Sequence, residues 1–149
     1  AMKEALDRVR NKMSAAPDWE QALRRHFALI SQKKYAKARP LFEKALEEAG
    51  KANAHEDPRN HALLAPAHYT LACIYSLASA GKDGPEDDPS EIPAEEAERF
   101  RKMALVQLEK SMEIGFLQFE HMRRDPDLAP IRDLPEFEDL LDKWEKKSK

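Results

Sequence analysis

The 149-residue chain is 42% hydrophobic and 36% charged, carries a net charge of -3, and contains 4 Gly, 10 Pro and a single Cys. Charge this dense must lie at the surface while the apolar residues still need burial, which favours amphipathic helices in one all-α domain over a doubly covered parallel sheet. Four glycines cannot assemble a phosphate-cradling loop or a nucleophile elbow, one cysteine excludes a disulfide framework, and neither the charge nor any apolar run points to nucleic acid or a membrane.

Residues 3–15 place Ala5, Val9 and Met13 on one helical stripe. Pro17 ends this leading helix (1–16), and Asp18 is placed to cap the next, over 19–33, whose Ala22, Leu23, Phe27 and Ile30 share a face. After a Lys33-Lys34 turn, a helix over 35–52 gathers Ala38, Phe42, Ala45 and Leu46 on one side and Glu43, Lys44, Glu47 and Glu48 on the other, with Pro40 near its first turn. NAHEDPRN, residues 53–60, has turn composition. The helix that follows, over 61–80, is apolar around nearly its whole circumference and must be covered on at least two sides.

GKDGPEDDPSEIP, residues 81–93, reads as a long polar loop. Pro93, Glu95 and Glu96 then open a helix that runs to about residue 114 and stops at Gly115. A short helix over 118–123, the proline-punctuated DPDLAPIRDLP and a last helix over 136–147 complete the chain. No stretch alternates with period two for long enough to predict a strand. The opening Ala1-Met2 reads as a scar before an internal start, as in a fragment of a longer protein, and the lone cysteine fits a cytoplasmic setting.

The helices over 19–52 and 61–115 form two candidate hairpins. In the first, Ala38, Phe42 and Ala45 follow an A-x3-F-x2-A spacing; in the second, His68, Leu71, Ala72 and Tyr75 follow W-x2-L-G-x2-Y, with His for Trp and Ala for Gly. Small residues at such spacing let helices approach closely while the aromatic residues fill the gaps beside them. On these positions residues 19–115 resemble the tetratricopeptide repeat family. The fit departs where Arg25 and His26 stand for the usual Leu and Gly, and the step from Ala22 to His68 is 46 residues against the usual 34 or so. GFLQFEHMRRDPDLAPIRDLPEFEDLL is similar to the closing segment of many bacterial tetratricopeptide proteins, including arrays attached to serine/threonine kinases, and residues 116–149 read as a C-terminal helical cap.

The resemblance implies a right-handed superhelix of antiparallel pairs and a concave groove for a protein or peptide segment. Carried over residue by residue, it places Leu23, Arg24, Phe27, Ile30 and Ser31 from the first pair, and Tyr69, Thr70, Cys73, Ser76 and Leu77 from the second, in that groove. Tetratricopeptide domains that clamp a chaperone's C-terminal carboxylate use Asn and Lys there; Arg24, Phe27, Thr70 and Cys73 disfavour that partner. The rival reading is a structural or weakly self-associating module whose groove is filled by its own terminal helices.

A catalytic or metal-dependent domain is the weakest reading. His61 and His68 lie two turns apart, and His55 with Glu56 and Asp57 has no ligand spacing. Cys73 reads as a small buried hydrophobe, Asp125 and Asp127 as turn residues around Pro126, and His68 as a substitute for a large packing residue. No cofactor, metal or catalytic residue is therefore expected. Charge is uneven: residues 21–40 hold six cations and no acid, while 82–99 hold eight acids against Lys82 and Arg99. Solvated helix faces account for both more simply than a basic site for an acidic peptide.

Overall fold

In a computed structural model of the chain, which describes residues 17–32, 34–81 and 93–148, every regular element is helical. Helices α1 (Asp18–Ser31) and α2 (Tyr35–Lys51) are followed by two 3-10 turns, Ala54–Glu56 and Pro58–Asn60. Then come α3 (His61–Ser79) and α4 (Ala94–Glu113), and after them the short α5 (Phe119–Arg124), a third 3-10 turn (Pro126–Leu128), α6 (Ala129–Arg132) and α7 (Pro135–Lys147). The expected leading helix and residues 82–92 of the expected polar loop lie outside the described residues. No helix among the described residues is long and apolar enough to cross a membrane.

Local chemistry accounts for most of the boundaries. Gly115 has φ +109 just past α4, a conformation that costs a glycine nothing, and the following Phe116 N–H returns to the Ser111 carbonyl. Asp18 departs from expectation. It lies inside the first turn of α1, behind a flanking Pro17, and no side chain caps the helix. Its carboxylate, with that of Glu20, sits at the positive end of the helix dipole instead. Pro40 is the sixth residue of α2 rather than a first-turn residue, and Pro66 is the sixth residue of α3. The proline-rich stretch after α5 is more regular than its composition suggests. Asp125 Oδ1 accepts from the Asp127 N–H at 2.9 Å and caps the third 3-10 turn, and α6 follows directly.

Helix α3 is the axis of the molecule, with fourteen of its nineteen residues buried. It runs antiparallel to α4, since Tyr75 stacks near Phe100 at 6.0 Å while His68, earlier in α3, bonds Gln107, later in α4. The three-residue connection between α1 and α2 makes them antiparallel neighbours as well. Phe27 meets Phe42 edge-on at 5.2 Å across that pair. Ala38, Phe42, Ala45, Leu71, Ala72 and Tyr75, the small and large residues read as close-packing positions, are all buried in one core.

The C-terminal elements close the open side of α3 and α4. Met122, Leu128, Ile131, Phe137 and Leu141 are fully buried. Arg123 of α5 faces Glu138, Asp142 and Glu145 of α7. Glu109 of α4 receives both Lys143 Nζ and Trp144 Nε1 of α7 at 2.9 Å, bonds that hold its carboxyl below the usual range. Phe42→Ala removes a fully buried ring shared by α1 and α2 and is expected to cost about 3–5 kcal/mol in urea unfolding.

Candidate functional site

An open cleft of about 620 Å³ lies where α2, α3 and α4 meet. Its volume falls within the roughly 300–1,000 Å³ of small-ligand sites. Leu46, Leu71, Tyr75 and Ile114 supply its apolar surface, and Glu47, Lys110 and Glu113 are among its charged residues. Two polar assemblies link the three helices beside it. In the first, the Tyr75 hydroxyl of α3 donates to Glu43 Oε2 of α2 at 2.5 Å. Its ring stacks on Phe100 of α4, over which the Arg39 guanidinium sits at 5.0 Å. Burial and the neighbouring carboxylate both hold the Tyr75 hydroxyl protonated.

The second assembly is built on His68, which is buried between His55 and Gln107. Gln107 Oε1 is an acceptor, so His68 Nδ1, 2.6 Å away, carries a proton and donates it. A neutral ring then leaves Nε2 as an acceptor, and His55 Nε2, at 2.7 Å, is the donor. His61 Nε2 in turn donates to the His55 carbonyl at 2.8 Å. Protonating His68 would set N–H against N–H in a desolvated position, and its pKa is pushed down to about 4, chiefly by burial. Burial lowers the pKa of His55 too. Sequence spacing could not reveal this pair, because His55 comes from a 3-10 turn and meets His68 of α3 only once these separate elements have come together.

The residues expected to form a groove lie on α1 and α3. Phe27 is half-buried and turned onto Phe42 within its own hairpin. Arg24 is exposed and pairs with Glu20 at 3.3 Å, and the exposed Ser31 hydroxyl donates to the Ala28 carbonyl at 2.8 Å. On α3, Tyr69 and Cys73 are buried, Thr70 is half-buried and Leu77 is buried at the margin. Tyr69 and Cys73 are brought together, facing the chain's own C-terminal segment. The Tyr69 hydroxyl donates to Asp125 Oδ2 at 2.5 Å, and its ring stacks on Phe116 with centroids 4.5 Å apart. The Cys73 thiol lies 3.8 Å from the same Asp125 oxygen. Burial, then the carboxylates of Asp125 and Asp127, raise the thiol pKa well above its ordinary value. Helix α1 packs chiefly on α2, and the contacts of Arg24, Phe27 and Ser31 given above lie within that hairpin, whereas those of Tyr69 and Cys73 are with the C-terminal segment.

Compared with protein-family models, curated proteins and solved structures, the chain matches none.

Because the folded pKa of His68 lies below the unfolded 6.5, the unfolded chain binds the extra proton between these values. Its contribution is complete above about pH 6.5 and is lost as pH falls towards 4, at up to about 1.4 kcal/mol per pH unit. Urea unfolding across that window is expected to show the slope in the wild type and a shallower one in His68→Gln. For the Asp125 contact, Tyr69→Phe is expected to cost about 1–3 kcal/mol and to accelerate amide exchange in residues 125–134 ahead of α2. Unchanged exchange there would mean that the bond does not hold the segment down.

Proposed function

We propose that the chain is a tetratricopeptide-like interaction module that binds an extended segment of a partner protein in the cleft between α2 and α4. The observation that carries this reading is the cleft itself: an apolar surface from three helices, flanked by charged side chains and by polar assemblies whose donors and acceptors are locked. A partner side chain can enter such a site at little ordering cost to the protein, because the lining residues are held by their own neighbours before it arrives. The antiparallel pairing of α1 with α2 and of α3 with α4, and the burial of the positions that carried the resemblance, support a stacked-pair architecture closed by α5–α7. The module acts by recognition, with no chemical step.

The placement moves relative to the groove expected from the resemblance. The α3 face bearing Tyr69 and Cys73 is covered by residues 116–128, so it supports the second reading, a structural role in which the chain's own C-terminal segment occupies that face. The two readings concern opposite sides of α3 and are separable by experiment.

A displayed peptide library selected on the immobilised protein supplies the test, with affinities of the selected peptides measured by calorimetry. Ile114→Lys puts a charge in the cleft at a half-buried position and is expected to weaken binding about tenfold or more. Arg24→Glu, on the far hairpin surface, is expected to leave it within about twofold. Selected peptides that are indifferent to Ile114→Lys but lost with Arg24→Glu would place recognition on α1 instead.

A further inference from the structure

His55 and His68 meet on the wall of the cleft between α2 and α4, and their contact leaves room for one proton. The two Nε2 atoms are 2.7 Å apart, so one of them must be an unprotonated acceptor. His68 cannot offer its other nitrogen instead, because Nδ1 is committed as a donor to Gln107 Oε1 at 2.6 Å. Both rings line the cleft. His68 is 3% exposed, whereas His55, carried by the first 3-10 turn, is half-buried and is the member with a way into water.

The groups around the pair make a further proton hard to hold. Lys110 of α4 acts on both imidazoles and His61 of α3 on His55, and each opposes added positive charge. The nearby carboxylates are engaged elsewhere or stand at the rim: Glu43 receives the Tyr75 hydroxyl, Glu47 pairs with Lys51 at 3.3 Å, Asp57 is held by Arg59 at 2.8 Å, and Glu113 is exposed at the end of α4. Exchanging the tautomer of His55 restores an acceptor for a protonated His68, but leaves the charge desolvated beside Lys110. The backbone of the turn is fastened separately. His61 Nε2 donates to the His55 carbonyl at 2.8 Å and Asn60 Nδ2 to the Ala54 carbonyl at 3.0 Å, and acid removes neither donor. The part left able to move is the His55 side chain.

We propose that the His55–His68 contact is an acid-released latch on the wall of the α2–α4 cleft. With one proton between them the rings are joined and the wall is closed. A second proton, taken from solvent by His68 Nε2, makes both rings donors; the bond between them is lost, His55 turns out into water, and His68 keeps Gln107. Burial holds the closed His68 down to about 4 and the closed His55 below its ordinary value, whereas an opened imidazole takes its proton near 6.5 or so. Opening is therefore favoured as pH falls from about 6.5 towards 4, by up to about tenfold per pH unit for each proton taken up. Acid release of a bound segment rests on the peptide-binding reading given above; the latch itself does not.

The latch is tested on the free, isotope-labelled protein by NMR, following the imidazole nitrogens of His55 and His68 and the Ile114 methyl from about pH 7 to about pH 5. The open population is expected to rise about tenfold over that interval, read as relaxation dispersion at residues 54–61, Gln107 and Ile114 while α1 and α7 stay unchanged. The control is His55→Gln, whose amide donates to neutral His68 and, turned over, accepts from the protonated ring; there the pH-dependent dispersion is expected to vanish while His68 still titrates. No dispersion in the wild type, dispersion of equal size in His55→Gln, or one change shared by every helix overturns the latch. Peptides selected at neutral pH and lost with Ile114→Lys are then expected to bind about tenfold more weakly at about pH 5 to the wild type, and within about twofold of their neutral affinity to His55→Gln. An equal loss in both proteins overturns the regulatory role. Failure to select any such peptide overturns the peptide-binding reading and acid release with it, whereas the histidine signals decide the latch independently.

Discussion

Helix α3 is buried over fourteen of its nineteen residues, and the rest of the molecule is arranged by that constraint. An amphipathic helix needs one partner surface, whereas a helix that is apolar all round must be enclosed. Here α2 covers one side through Leu46, Ala45 and the Tyr75–Glu43 bond, α4 covers another through Phe100, Ala104 and Leu108, and residues 116–131 cover a third. Each covering element is amphipathic, so its outer face carries the charge that makes up 36% of the chain. The hairpin of α1 and α2 depends on the same axis at one remove, because α1 packs on α2 rather than on α3.

Enclosing α3 also buries its polar groups, and the structure shows how most of them are satisfied. Tyr69, Tyr75 and His68 each reach a partner on a different neighbouring element: Asp125, Glu43 and the His55–Gln107 pair. A buried hydroxyl or imidazole left unbonded would cost a few kcal/mol, so each of these contacts selects one relative placement of two elements. Hydrophobic contact brings the helices together without direction. These directional bonds set their register, and the cleft between α2 and α4 exists because the Tyr75 and His68 bonds hold its two walls to a common floor.

Asp125 shows how one residue can serve local and tertiary structure together. Its Oδ1 caps the 3-10 turn that it precedes, its Oδ2 accepts from Tyr69, and its carbonyl receives Arg132. The turn is thereby shaped and docked by the same side chain. This coupling explains why a proline-punctuated stretch, which on composition alone reads as irregular, carries the fully buried Leu128 and Ile131 against α3 and α4.

The longer helices from residue 18 onward, their approximate limits and the need to cover residues 61–80 were legible in the sequence, because periodicity, glycine stops and proline placement are local properties that survive any tertiary context. The same holds for the buried set Ala38, Phe42, Ala45, Leu71, Ala72 and Tyr75, whose sizes and spacing already specify a close-packed seam. Local signals were weaker at Asp18, where a first-turn acid and an N-cap look alike, and at Pro40, where the residue type does not reveal how many residues of helix precede it. What lies beside what was not legible. His55 and His68 are thirteen positions apart, Tyr69 and Asp125 fifty-six, and no spacing rule joins residues carried by different elements. The sequence by itself determined that a helix apolar around nearly its whole circumference must be covered on at least two sides. Only the tertiary structure decided that the chain's own C-terminal segment covers the Tyr69–Cys73 face while a cleft stays open on the other side, because that choice rests on directional bonds that form only once the elements meet.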